Sequence, residues 1–215
     1  MIDWNEIDTV LLDMDGTLLD LHFDDFFWQQ QLPLKWGEMN GISIEEARAR
    51  LLPIFQKTEA SLAWYCLDYW SEQLQMDIFE LSREIVHLID LRPHVIEFLT
   101  HLDKLGKNIV LVTNSHEKFI ELKMQKTGID IHFHHMFNSH DFGHPKENSG
   151  FWEVLEERLD FSNQSTVLFD DNISVLRSAR EYGIKNLLGI ARPSSQAAHK
   201  DTAEFTAVNS FLDLL

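Results

Sequence analysis

A single cysteine, Cys66, leaves the chain without an internal disulfide and suits a reducing compartment; alone, it reads as a small buried hydrophobe rather than a catalytic thiol. No apolar run approaches the ~18 residues needed to cross a bilayer, and the N-terminus has no basic-then-apolar signal pattern. A cytoplasmic location is therefore expected. Basic residues are scarce: 18 lysines and arginines stand against 35 acidic residues, a net charge of −17. A field of that sign repels nucleic acid and acidic membranes, and both are excluded as main partners. It also repels small phosphorylated metabolites, so a site for one needs local positive charge from a metal ion or a few placed basic residues. Internal repeats and low-complexity tracts are missing too. At 215 residues the chain can hold a sizeable core and a small second domain.

What is present is organised around Asp8-Thr9-Val10-Leu11-Leu12-Asp13-Met14-Asp15-Gly16-Thr17. Val10 to Leu12 is a short apolar run of the kind buried on both faces of a parallel sheet. Two carboxylates follow it. In extended chain Asp13 and Asp15 would share a face, and Gly16 lets the backbone turn sharply. Carboxylates this close stay ionised together only beside a cation, which suits a hard divalent ion such as magnesium. The pattern fits an aspartyl nucleophile, Asp13, with Asp15 as acid and base in phosphoryl transfer. An exposed acidic turn is the plain alternative.

From Leu21 to about Asp90 the pattern is helical and rich in large aromatics, including Phe26, Phe27, Trp28, Trp64, Tyr69 and Trp70. Ser43 and Asp77 offer N-caps. Leu62, Tyr65, Cys66, Tyr69 and Leu74 recur at helical spacing, and Pro53 should kink or split the helix begun at Ile44. Beyond Pro93, strands and helices alternate. A helix carries Ile96, Leu99, Leu102 and Leu105, and strands cover Asn108 to Val112, Ser165 to Phe169 and Asn186 to Ile190. Helices run from His116 to Thr127, Gly150 to Leu159 and Asn172 to Tyr182. A histidine-rich turn lies between, and Val208 to Leu215 reads as a terminal helix. Such alternation gives a doubly wound parallel sheet with helices on both faces, interrupted by an inserted helical module.

Three of these strands end in polar residues, Asp13/Asp15, Thr113/Asn114 and Asp170/Asp171, and Gly143-His144-Pro145-Lys146 adds a lysine in a turn. Their ends converge at one edge of a doubly wound sheet, so one pocket can hold all of them. His132, His134, His135, His140 and His144 match no zinc spacing. Arg92 could neutralise a phosphate or cap a helix.

Asp13-Met14-Asp15-Gly16-Thr17, followed in order by Thr113, Lys146 and Asp170-Asp171, resembles the four motifs of the haloacid dehalogenase superfamily of magnesium-dependent phosphatases. The resemblance implies a Rossmann-like core formed by residues 1–20 and 91–215, and a helical cap formed by 21–90. It implies that Asp13, the Asp15 carbonyl and Asp171 hold Mg2+, with Asp170 orienting them from behind. Thr113, Asn114 and Lys146 would bind the substrate phosphate. Phe27-Trp28-Gln29, the stretch Trp64 to Leu74 and Phe142 to Glu147 further resemble the GMP/IMP nucleotidase branch of that superfamily. A purine mononucleotide is then the expected substrate, for a monomer or homodimer. A sugar-phosphate or phosphoglycolate phosphatase is the alternative, followed by a non-catalytic binding module on the same fold. Asp15 and the metal argue against dehalogenation.

Overall fold

The computed structural model describes residues 2–215. Six strands form one sheet: β1 (Thr9–Leu12), β2 (Asn108–Thr113), β3 (His135–Asn138), β4 (Thr166–Asp170), β5 (Asn186–Ile190) and β6 (Thr206–Val208). All neighbours are parallel, in the order β3-β2-β1-β4-β5-β6. β1 therefore lies inside the sheet, with Leu12 opposite Leu111 on one side and Phe169 on the other. All four of its residues are buried, which explains an apolar run without alternation. The chain order reverses at β1, so the ligand crevice expected of such a sheet opens just beyond Leu12.

Between β1 and β2 the regular secondary structure is helical, beginning with α1 (His22–Phe26), a π-helical turn (Phe27–Gln31), α2 (Leu32–Asn40), α3 (Ile44–Thr58), α4 (Leu62–Tyr65), α5 (Leu67–Leu74), α6 (Ile78–Arg83) and a 3-10 turn (Val86–Leu88). Ser43 and Asp77 cap α3 and α6 through their side chains, as expected. Leu19 and Leu91 bridge antiparallel where the chain leaves and rejoins the sheet. This segment has its own apolar cluster, with Phe23, Phe27, Leu51, Leu67, Trp70 and Ile78 buried in it. Then follow α7 (Val95–Lys104), α8 (Glu117–Thr127), α9 (Ser139–Phe142), α10 (Ser149–Arg158) and α11 (Ile173–Tyr182). Val10 and Leu12 pack on one face of the sheet with Phe98, Leu99 and Leu102 of α7. Leu11, Val110 and Val112 pack on the other with Trp152 and Leu155 of α10 and Leu176 of α11.

Several elements differ from the sequence expectation. Pro53 does not split α3, which continues through it to Thr58; the proline is exposed, on the side where a lost hydrogen bond faces water. Cys66 is extended and separates α4 from α5, so the buried stripe is Leu67, Trp70 and Leu74; of the residues expected on it, Leu74 is there and Leu62, Tyr65 and Tyr69 are not. In α7 the buried face is Val95, Phe98, Leu99 and Leu102, while Ile96 and Leu105 are exposed. The histidine-rich turn contains the edge strand β3, whose half-exposed residues give no apolar run to read. Near the C-terminus β6 is a second short edge strand, and Phe211–Leu214 forms only a 3-10 turn.

Leu11→Ala should lower the unfolding free energy by about 2–5 kcal/mol, because it removes a fully buried side chain from the central strand. Ile96→Ala should change it by less than about 0.5 kcal/mol. Urea titration of the two variants measures both.

Candidate active site

The turn after Gly143 delivers Lys146 beneath the ends of three adjacent strands. Its side chain is 2% exposed, and its Nζ donates to Asp13 Oδ1 at 2.6 Å, Asp170 Oδ2 at 2.6 Å and the Val112 carbonyl at 3.2 Å. Those acceptors belong to the ends of β1, β4 and β2 at one register level. All three ammonium protons are thereby used. Burial opposes the lysine's charge, but the two carboxylates outweigh it and hold the ammonium on. Burial pushes Asp13 up to about 7 and Asp170 to about 6, against the pull of Lys146.

Asp171 completes the acidic group. One carboxylate oxygen from each of Asp13, Asp170 and Asp171 lies within 4.8 Å of the others. Burial also pushes Asp171 up to about 6, although Lys200 at the rim donates to its carbonyl at 2.7 Å and to Oδ2 at 3.2 Å. Three carboxylates here meet one buried ammonium. That excess of negative charge and oxygen donors fits a hard divalent cation. Gly16 is required beside it: its φ is +80°, and a Cβ there would lie 2.8 Å from Asp171 Cγ.

Asp15 lines the same cavity as Asp13 but does not share its hydrogen-bond partners, as an extended chain would have it. The chain turns at Met14, whose carbonyl accepts from Leu18 and Leu19 N–H. Asp15 Oδ1 instead accepts from Lys123 Nζ of α8 at 2.7 Å, and the same ammonium binds Asp24 of α1 at 2.8 and 2.9 Å. Burial and the neighbouring Asp15 push Asp24 up to about 7. Sequence reading missed both Lys123 and Asp24. The signal was a lysine one turn after Phe119 on the buried face of α8.

On the far side of Asp13, Thr113 Oγ1 accepts from Ser115 N–H, which leaves the hydroxyl proton free to donate. Asn114 is tied twice: its Oδ1 accepts from Lys146 N–H and its Nδ2 donates to Glu147 Oε2. Glu147 Oε1 also accepts from Tyr65 Oη at 2.7 Å and Asn172 Nδ2 at 3.0 Å. Tyr65 comes from the helical insertion, so this carboxylate joins it to the strand ends.

These groups floor a cavity of about 1010 Å³ whose opposite wall is formed by Trp28, Leu52, Phe55 and Trp64. The aromatic rings also pack edge-on against each other, Phe55 lying 6.0 Å from both Trp28 and Trp64. They are core and cavity wall together. Arg92 lies elsewhere. Its Nη1 donates to the Thr17 carbonyl and its Nε to that of Arg192, so it braces two loops and neither caps a helix nor faces the cavity. The histidines are dispersed: His132 meets Asp103, His134 accepts from Ile109 N–H, and His140 packs on His116.

The raised carboxyls make a linkage prediction. Their protonated forms are favoured by folding, so their contribution to stability is full below about pH 4 and is lost as pH rises through 6 to 7. A bound divalent cation competes with those protons and removes the loss. Magnesium should therefore raise Tm clearly at about pH 8 and hardly at about pH 5. Equal shifts in differential scanning fluorimetry at both values would contradict this.

Comparison with known proteins agrees with the geometry. Residues 7–183 match the family model of haloacid dehalogenase-like hydrolases. The chain is 39% identical over 214 residues to the GMP/IMP nucleotidase YrfG of Escherichia coli, covering 100% of this chain and 96% of that protein. In fold it is similar to a HAD phosphatase from Thermococcus onnurineus, with TM-score 0.80 and 23% identity over 97% and 96% of the two chains. A predicted phosphoglycolate phosphatase from Haemophilus somnus superposes with TM-score 0.67 at 17% identity, over 97% and 96%. With the motif-bearing strand ends gathered on one lysine and the family model spanning most of its length, the chain belongs to the haloacid dehalogenase-like hydrolases.

Proposed function

We propose that the protein is a cytoplasmic, magnesium-dependent phosphate monoester hydrolase that cleaves purine 5′-mononucleotides such as GMP and IMP through an aspartyl-phosphate on Asp13. The observation that carries the chemistry is the group of buried Asp13, Asp170 and Lys146 with half-buried Asp171 on the floor of a roomy cavity. The full-length identity to a GMP/IMP nucleotidase carries the substrate class, by analogy.

Asp13 attacks phosphorus in line. As the Asp13–phosphorus bond forms, the bond to the nucleoside oxygen breaks, its electron pair stays on that oxygen, and Asp15 supplies the proton. A water then attacks the phosphorus and gives its proton to Asp15, and the Asp13 carboxylate leaves as inorganic phosphate is released. The Thr113 hydroxyl and the Asn114 N–H donate to the phosphoryl oxygens, while Lys146 adds a fixed positive charge. Asp13, Asp171 and the Asp15 carbonyl would hold the magnesium, with Asp170 and Lys146 fixing Asp13 behind them. When bound, the ion neutralises the phosphoryl oxygens and balances the acidic cluster.

Residues 21–90 act as the cap that excludes water during the first transfer. Trp28, Phe55 and Trp64 give the base an apolar, aromatic wall. A cavity of about 1010 Å³ is far larger than phosphoglycolate needs, which favours the nucleotide over the smaller substrate.

Asp13→Asn should lower turnover on the order of 10⁴-fold or more while leaving the fold intact, since the amide is isosteric but a poor nucleophile. Trp64→Leu should raise KM for GMP about tenfold through lost stacking, with little effect on p-nitrophenyl phosphate. A phosphate-release panel of GMP, IMP, sugar phosphates and phosphoglycolate, with and without magnesium, tests the whole reading. Efficient cleavage of sugar phosphates with none of GMP or IMP would refute the substrate assignment.

A further inference from the structure

Among the described residues Lys123 is the one other lysine as deeply buried as Lys146, and the steps above give it no task. Its side chain is 1% exposed. It sits between the rings of Phe23 and Phe119, each centroid 5.1 Å from Nζ. Its three protons are directed to Asp15 Oδ1 at 2.7 Å and to the two oxygens of Asp24 at 2.8 and 2.9 Å. Desolvating an ammonium in such a site is costly, and it persists only where its geometry is filled. Here the filling is asymmetric. Asp24 gives both oxygens to the lysine, whereas Asp15 gives one and keeps Oδ2 without a hydrogen bond among the described residues. Asp15 lines the cavity that holds Asp13 and Thr113.

We propose that Lys123, anchored by Asp24, is a positioning residue for Asp15. It pins one carboxylate oxygen so that the other is presented to the reacting phosphate ester. The inference rests on the reading of Asp15 as acid and base and adds what aims it. The physical need is specific. An aspartate side chain has two soft torsions, and Asp15 stands where the chain has already left β1 and turned at Met14; its bridge partner is Leu19, outside the sheet, so no strand of the sheet sets its direction. A proton donor must lie within hydrogen-bond reach of the leaving oxygen in a defined direction, and a misaimed acid loses most of its effect. Lys123 is fixed by α8 and Asp24 by α1, so the aim comes from two helices rather than from the turn that bears Asp15.

The test is leaving-group dependence in single-turnover phosphoryl transfer. GMP must expel a ribose alkoxide and needs a proton, whereas 2,4-dinitrophenyl phosphate expels a stable anion and does not. Asp15→Asn sets the reference. Lys123→Met keeps the side-chain length without donors, and Asp24→Asn loosens only the anchor. Lys123→Met should slow transfer from GMP on the order of 10²-fold and transfer from dinitrophenyl phosphate less than threefold, reproducing the selectivity of Asp15→Asn. Asp24→Asn should fall between it and the wild type. Should Lys123→Met fold poorly in thermal melts, the double variant Lys123→Met/Asp24→Asn removes the stranded second carboxylate and should show the same selectivity. A loss equal for both substrates, or no loss for GMP, would overturn the positioning role while leaving Asp15 as the acid. If Asp15→Asn itself shows no selectivity, the acid assignment fails and the inference with it.

Discussion

One ammonium group holds the ends of three strands together. Lys146 Nζ meets Val112 of β2, Asp170 of β4 and Asp13, the residue after β1, and so uses all three of its protons on the ends of adjacent strands. The cost of burying it is met only because each proton has an acceptor. The consequence for chemistry is direct. Asp13 has one oxygen fixed by the lysine, so the direction of the other is set by the sheet itself. A rigid central strand, buried on both faces, therefore serves as the mount for the candidate nucleophile.

Around that mount, each neighbouring group is fastened by a partner from a different part of the chain. Asp171 is met by Lys200 and forced close to Gly16, Asn114 by Lys146 and Glu147, and Asp15 by Lys123 and Asp24. Two of the fastenings reach into the helical insertion, through Asp24 on one side and Tyr65 on the other. The insertion thus supplies the aromatic wall of the cavity and also ends of the polar network beneath it. Positive charge is gathered at this point of a strongly acidic chain, two buried lysines at the floor and a third at the rim, yet the carboxylates they meet still outnumber them.

How much of this can be read from the residues depends on whether the determinant is local. The central strands were legible because burial on both faces leaves an unbroken apolar run ending in a polar pair, as at Leu12-Asp13 and Phe169-Asp170. Ser43 and Asp77 were legible because capping is a matter of three or four residues. β3 and β6 were not, since edge strands of half-exposed residues carry no periodic signal. The meeting of Lys146 with Asp13 followed from topology, because parallel strand ends must converge. That of Lys123 with Asp15 and Asp24 did not follow, because α1 and α8 are neighbours only after the insertion has packed, 99 residues apart for Lys123 and Asp24. The extended-chain picture of Asp13 and Asp15 failed for a local reason: the Met14 carbonyl accepts from Leu18 and Leu19 N–H and turns the chain between the two carboxylates.

The most direct measurement of the central claim is the location of the covalent phosphoryl group. Protein mixed briefly with GMP and magnesium, quenched in acid and reduced with borohydride, converts an acyl phosphate into homoserine that tandem mass spectrometry can place. Homoserine at position 13 is the predicted result. Rapid release of phosphate with Asp13 unmodified at every quench time, or phosphate recovered on a histidine such as His116, would contradict it.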